Sequence, residues 1–230
     1  MKPDITKDCV KTLLDAKFIK VYDLQYAEGK HYFDATRRNE DDLVAVKSDE
    51  EFKKMLPDAV TCAVILVGDN IAPKLLLSRE FRYPTGRFLL SPPAGLMDPE
   101  DKEGYENGLS ADDALINTAK REIWEETGLK VSENDRIFVL NQLLFSTPGM
   151  TDESNGLVCA VINLEDLSDE EIGQKLTSEG AVGSEVFDGF VLVDEDKARE
   201  IIEAGRDSYD NFFSVYTWCV LMYFVSGMWK

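Results

Sequence analysis

Residues 121–128 read Arg-Glu-Ile-Trp-Glu-Glu-Thr-Gly. On an α-helix, positions four apart share a face and positions three apart nearly do, so Glu122 and Glu126 point the same way with Glu125 beside them. Like charges held this close destabilise a helix unless a cation stands among them. Arg121 can offset one. A hard divalent cation bound through carboxylate oxygens offsets more, and Mg²⁺ is the usual choice where a substrate phosphate completes the coordination, with Mn²⁺ the alternative. The competing reading is a solvated acidic face with no chemistry. Other metal chemistries have little to work with here. His31 is the single histidine, and Cys9, Cys62, Cys159 and Cys219 are scattered with no CxxC spacing, so the usual ligands of a catalytic transition metal are missing. The cysteines are expected to be buried free thiols.

Acids meant to hold a metal need a rigid helix behind them. Ser110-Ala-Asp-Asp supplies an N-cap with an acidic residue three positions on, and Gly128 is placed to end the helix. Ala114, Leu115, Thr118, Ala119, Ile123 and Trp124 can share one face, which puts Ile123 and Trp124 on the core side. Around this helix the pattern alternates between short strands and helices. Two strands flank Glu28-Gly29, Ser48 opens a capped helix, and Ala59 to Val67 and Lys74 to Arg82 form a hairpin across Gly68-Asp69-Asn70. Arg87 to Leu90, Arg136 to Leu144, Gly156 to Asn163 and Val186 to Val193 read as further strands, with helices from Ser168 and over Glu195 to Ala204. The connections suit hairpins, so an α+β fold is favoured over a doubly wound parallel sheet. The softest boundary falls near residue 55, dividing a small N-terminal β element (1–55) from the main domain (56–230).

The whole chain narrows the class further. With 230 residues and 44% hydrophobic content it can fill an ordinary core, and a formal charge of −19 disfavours a nucleic-acid partner. The first twenty residues carry charges every few positions, unlike a secretory signal, so a cytoplasmic location is expected. Residues 211–229 lack charge and approach the length of a membrane span, but their Ser, Thr and Tyr content favours a buried C-terminal helix or a dimer contact, with no membrane partner.

The string from Arg121 to Gly128 matches the second half of the Nudix hydrolase signature at every specified position. Phe81-Arg82-Tyr83-Pro84, Pro93-Ala94-Gly95 and Ser146-Thr147-Pro148-Gly149 resemble segments of the ADP-ribose pyrophosphatase subgroup. This resemblance spans most of the chain and implies a Nudix fold, in which a mixed sheet lies between helices. It implies Mg²⁺-dependent cleavage of the diphosphate in ADP-ribose or a related nucleoside diphosphate sugar, releasing a nucleoside monophosphate and a sugar phosphate. UDP- or GDP-sugar hydrolysis, or a non-catalytic ADP-ribose sensor, are the alternatives. It further implies a homodimer built through the N-terminal element.

Carried over by position, Glu122, Glu125, Glu126 and the carbonyl of Ala94 are implied metal ligands, and Arg121 orients the glutamates. Arg82 is implied to contact the substrate, and Pro148 and Gly149 to shape the loop against it. The general base is expected in the acidic loop before the last strand, at Glu185 or, second, Glu179. The first half of the signature does not match. Asn107 and Asp113 stand where its Gly and Glu belong, and about twelve residues are inserted after Gly95, so that Asp101 falls at the Glu position when counted from Gly95. Ser91 replaces the Glu usual in the subgroup just ahead of Pro-Ala-Gly, which bears on substrate more than on reaction.

Overall fold

The computed structural model describes residues 3–69, 71–164, 167–178 and 185–230. The chain forms two compact units, Met1–Asp58 with Leu143–Asn155, and Ala59–Gln142 with Gly156–Lys230.

The first unit is built on an antiparallel sheet of β1 (Val10–Asp15), β2 (Lys20–Ala27) and β3 (Lys30–Thr36). Gly29, at φ 64°, takes the left-handed conformation that the tight β2–β3 turn demands. β1 lies outside the sequence expectation because its residues are nearly all exposed, Leu13 and Leu14 among them, so no inside–outside alternation marks it. Tyr22, Leu24 and Leu43 form a small core, and α1 (Asp49–Lys54) opens on a capping box between Ser48 and Glu51.

Polar bonds stitch the segment 143–155 to this sheet. The Ala35 N–H donates to the Met150 carbonyl (3.1 Å), the Tyr32 hydroxyl to the Gly149 carbonyl (2.7 Å) and the Val44 N–H to Asp152 (3.1 Å). Arg38 is almost fully enclosed, with Asp42 at 3.2 Å, Asp58 at 2.8 Å and Asp152 at 3.5 Å. The Asp58 carboxylate also accepts from the Ser154 N–H and hydroxyl, each at 2.9 Å.

Asp34 sits in this unit with 7% of its surface exposed. Burial, then the charge of Asp152, push its carboxyl up to about 6, and a backbone N–H of Asp152 and the Arg38 guanidinium only partly oppose them. The folded pKa exceeds the unfolded one, so this group's contribution is complete below the unfolded value of 3.8 and is lost as pH rises through about 6. Asp34→Asn is therefore expected to raise stability at pH 7.5 by about 1 to 3 kcal/mol, from 1.36 kcal/mol per pKa unit, with the gain vanishing near pH 4. Urea midpoints at the two pH values check this, and an equal gain at both would refute the electrostatic cause.

In the second unit, a seven-stranded sheet among the described residues runs in the order β10 (Phe187–Val193), β5 (Lys74–Arg82), β4 (Ala59–Val67), β9 (Ser154–Asn163), β8 (Arg136–Phe145). β6 (Arg87–Ser91) pairs with β5, and the three-residue β7 (Ala94–Leu96) pairs with β4. β4 is buried on both faces, as a central strand covered on each side must be. Ala63 and Ile65 join the core made with α5 (Glu195–Ala204) and α6 (Val215–Ser226), while the Cys62 thiol faces the Ala119 carbonyl of α3 (Ala111–Thr127).

The C-terminal apolar run forms α6, buried through Thr217, Val220, Leu221 and Phe224, with the Thr217 hydroxyl donating to the Leu90 carbonyl (2.7 Å). Among the described residues no helix is long and apolar enough to cross a membrane. Cys62 and Cys159 are buried free thiols as expected, but Cys9 and Cys219 are free thiols that are only partly buried. The residues inserted after Gly95 fold as α2 (Pro99–Glu106), packed against α3 and opened by a capping box between Asp98 and Asp101. α4 (Asp169–Lys175) follows Ser168 as its N-cap.

Candidate active site

α3 is bounded as its sequence dictates, with the Ser110 side chain accepting from the Asp113 N–H and Gly128 left-handed at φ 73°. Its buried residues are Ala114, Leu115, Thr118, Ala119, Glu122, Ile123, Glu126 and Thr127. These are adjacent pairs recurring every four residues, and the repeat carries Glu122 and Glu126 into the protein. Trp124 falls outside it. The expectation that Trp124 anchors the core side of the helix is thus corrected: it is 48% exposed, because position 124 lies a further 100° around the helix from Ile123, beyond the buried stripe.

The short strand β7 covers the acidic face. Thr61 pairs with Ala94, Val60 with Gly95 and Ala59 with Leu96, and the Cys62 N–H donates to the Pro93 carbonyl (2.8 Å). Held this way, β7 turns its backbone to the helix. The Ala94 N–H donates to Glu126 Oε2 (3.3 Å) and the Leu96 carbonyl accepts from Arg121 (2.9 Å). Between them, Gly95 lies so close to Glu122 that a Cβ there would stand 2.1 Å from its carboxyl group.

Arg121 is ringed by acceptors. Its guanidinium meets Glu122 at 2.7 Å, Glu125 and Asp98 each at 3.1 Å, and Asp101 at 3.9 Å. Asp101 also accepts from the Thr118 hydroxyl (2.8 Å), so the cap of the inserted helix α2 is tied to α3 at the height of the signature arginine. Asp113, the other position considered for the missing signature Glu, caps its own helix by accepting from the Ser110 hydroxyl (2.6 Å).

Glu122 and Glu126 are 6% and 3% exposed, and Glu125 is half-buried. Burial pushes Glu122 up to about 7, with the charges of Glu125 and Glu185 adding to it and the ion pair with Arg121 opposing. Glu126 is pushed up to about 9 by burial, then by Glu80, Glu122 and Glu185, against the Ala94 N–H. The acidic loop's Glu185, exposed two residues before β10, therefore adds its charge to the rise at both helix acids. Glu179 lies outside the described residues.

This donor set fits a hard cation in one specific way. Among the described residues no three His, Cys, Asp or Glu side chains are gathered to hold a metal unaided. Mg²⁺ does not require that, because it binds through one or two carboxylates and takes water and substrate phosphate for the rest. Two buried carboxyl groups whose pKa values burial raises, with the charge of Glu122 adding to the rise at Glu126, are short of positive charge, which a divalent cation supplies.

Arg82 stands at the end of β5, partly exposed and ion-paired with Glu80. Pro148 and Gly149 belong to the first unit. There Pro148 joins Tyr32, Phe33, Phe52 and Phe145 around an apolar groove of about 290 Å³. Sequence reasoning missed Glu80, Asp98 and the closeness of Gly95 to Glu122. Only Glu80 left a trace, since alternation along Ser78-Arg-Glu-Phe-Arg82 sets it on the same sheet face as Arg82.

An α+β sheet that packs one short strand against a buried pair of helical glutamates defines a class, and comparison with known proteins agrees with it. The NUDIX domain model matches residues 55–205, and the chain belongs to that family. An uncharacterised Nudix hydrolase of Schizosaccharomyces pombe is 30% identical over 119 residues, 52% of this chain and 50% of that protein. The chloroplastic Nudix hydrolase 14 of Arabidopsis thaliana is 30% identical over 102 residues, 41% of this chain and 29% of that one. The chain thus spans half or less of the length of these curated relatives. A crystal structure of an ADP compounds hydrolase matches the fold with a TM-score of 0.54 at 18% identity, covering 96% of this chain and 90% of that one.

Proposed function

We propose that the protein hydrolyses the diphosphate linkage of ADP-ribose or a related nucleoside diphosphate sugar, with Mg²⁺, to a nucleoside monophosphate and a sugar phosphate. The observation that carries this reading is the pair Glu122 and Glu126, buried side by side beneath β7 at the cost of raised pKa values. A purely structural helix gains nothing from that arrangement, whereas a cation and a diphosphate both complete it. Family membership and the ADP compounds hydrolase of similar fold support the same chemistry.

In this reading Glu122, Glu126, Glu125 and the carbonyl of Ala94 hold Mg²⁺, which when bound neutralises charge on the diphosphate and lowers the pKa of water. Arg121 fixes the glutamates through its contacts with Glu122, Glu125 and the Leu96 carbonyl. Arg82 takes a phosphate oxygen pair through its planar guanidinium. Glu185 removes the proton from water as its oxygen attacks phosphorus and the bridging P–O bond breaks. Pro148 and Gly149 shape a loop for the rest of the substrate. The N-terminal element, residues 1–55, mediates a cytoplasmic homodimer.

A panel of ADP-ribose, UDP-sugars and GDP-sugars with Mg²⁺, read by chromatography of the released nucleotide, tests this. ADP-ribose or a close ADP compound is expected to give the highest kcat/KM and AMP as product. A UDP- or GDP-sugar in first place would replace the substrate and keep the reaction. Tight ADP-ribose binding with no turnover at any metal concentration would replace the enzyme with a sensor.

A further inference from the structure

Ser78, Glu80 and Arg82 alternate along β5 and share one face of the sheet. Glu80 lies opposite Leu89 of β6 and opposite Phe187 of β10, and the neighbouring Phe81 N–H donates to the Val186 carbonyl (2.9 Å), which draws the stretch beginning at Glu185 alongside. At 8% exposure Glu80 is nearly as enclosed as the helix acids, and its carboxylate touches the guanidinium of Arg82, which remains partly open to solvent. The acids around it are those of the site. Glu80 is the largest influence on Glu126 after burial, and Glu185 in turn opposes ionisation of Glu80. A carboxylate buried within the field of two others is costly, and a glutamine of the same shape would avoid that cost. What glutamine could not supply is a charged anchor for Arg82.

We propose that Glu80 is a positioning residue for the reaction, holding the Arg82 guanidinium by its ion pair at the rim of the acidic site so that it meets the substrate phosphate already oriented. This rests on the reading of Arg82 given under Proposed function. The guanidinium has five donors, so one edge can stay on Glu80 while another takes phosphate. An arginine ending a strand otherwise samples many rotamers, and ordering it beforehand strengthens substrate binding without altering the chemical step. The loss of Glu80 therefore appears in KM.

The test is a double-mutant cycle of wild type, E80Q, R82A and E80Q/R82A, assayed with ADP-ribose and Mg²⁺ for kcat and KM, with ADP-ribose Kd by calorimetry as a second reading. R82A is expected to raise KM about 10- to 100-fold, the range for losing a charge-assisted contact. E80Q is expected to raise it about 3- to 10-fold with kcat within about twofold and thermal stability not reduced, as suits a partner acting through another side chain. In the double variant KM should match R82A alone, because Glu80 then has nothing to hold. Effects of the two changes that multiply, or a fall in kcat for E80Q, would overturn the proposal by making Glu80 act independently. Unchanged KM and Kd in E80Q beside a strong effect of R82A would overturn it while leaving the role of Arg82 intact. An R82A variant with unchanged KM and Kd would overturn both, and a wild-type protein that neither binds nor cleaves ADP-ribose would bring down the functional reading first.

Discussion

Glu126→Gln is expected to fold normally, to lose activity by at least about 10³-fold, and to become more stable than the wild type when no metal is present. Glutamine keeps the size of the side chain and can still accept from the Ala94 N–H, so neither packing nor the backbone bond at 3.3 Å is broken. What disappears is the capacity to ionise, and that capacity has opposite effects on the two measurements. In the metal-free protein the folded pKa of about 9 exceeds the unfolded value of 4.5, so this group's contribution to stability is complete below 4.5 and is lost as pH rises through about 9. At pH 7 the neutral amide is free of that cost, for a gain on the order of 2 to 3 kcal/mol. The wild type should also gain thermal stability when Mg²⁺ is added, and the variant should gain much less, because ligand stabilisation requires the site that binds it. Melting curves with and without Mg²⁺, taken beside turnover, check all three. Full activity would sink the assignment of Glu126 as a ligand, and a large loss of stability would show that the carboxylate has a structural task instead.

Helix α3 was legible because its information is local: a serine cap, a four-residue recurrence and a terminal glycine, all between Ser110 and Gly128. The hairpin of β4 and β5 was legible for the same reason. β7 was not, since Ala-Gly-Leu carries no periodicity and its extended form follows from pairing with the distant start of β4, Ala59 to Thr61. β1 escaped because exposed leucines imitate the wrong pattern. Trp124 shows a different limit. Assigning apolar residues inward places Ala114, Leu115, Thr118, Ala119 and Ile123 correctly and goes wrong at Trp124, because the stripe that enters the protein continues through Glu122 and Glu126 instead. The residues that break the hydrophobic rule are those to which the chemistry is assigned here, and the same holds for Glu80 on its strand.

The site also shows how an insertion can be absorbed without disturbing the acids. With Asn107 and Asp113 standing at the first signature positions, helix α2 brings Asp98 and Asp101 to Arg121, and these short side chains come from its capping box. The guanidinium is then held from the α2 side by aspartates and from its own helix by Glu122 and Glu125. Because Asp101 also binds Thr118, the two helices share a fixed register at this point. Rebuilding the approach in this way preserves the orientation of the helix acids while changing the surface beside them, so it bears more on what can approach the site than on the bond that is cut.

Gly95→Ala is expected to leave stability almost unchanged and to reduce kcat/KM by about 10- to 100-fold. The glycine is not required by backbone conformation, since its φ is not among the positive values, and alanine can adopt the same strand geometry. The added methyl would lie 2.1 Å from the Glu122 carboxyl carbon and Oε1, far inside contact distance, so one of them must move. β7 is fixed by its pairing with β4 and by the bond from Cys62 to Pro93, whereas the Glu122 carboxyl is the free end of a flexible side chain. Glu122 therefore yields, at about 1 kcal/mol for a strained rotamer, offset by the 0.4 to 1 kcal/mol that Gly→Ala gains from a less disordered unfolded chain. Its displacement removes the carboxylate from beside Glu126 and strains its 2.7 Å contact with Arg121, which damages the metal face without unfolding anything. The Mg²⁺ concentration for half-maximal activity should rise, and saturating Mg²⁺ should recover part of the lost rate. Metal titration of activity alongside denaturant unfolding decides the matter. Normal metal dependence with normal activity would mean that Glu122 has room to spare and that the tight seat at Gly95 is not what holds it in place.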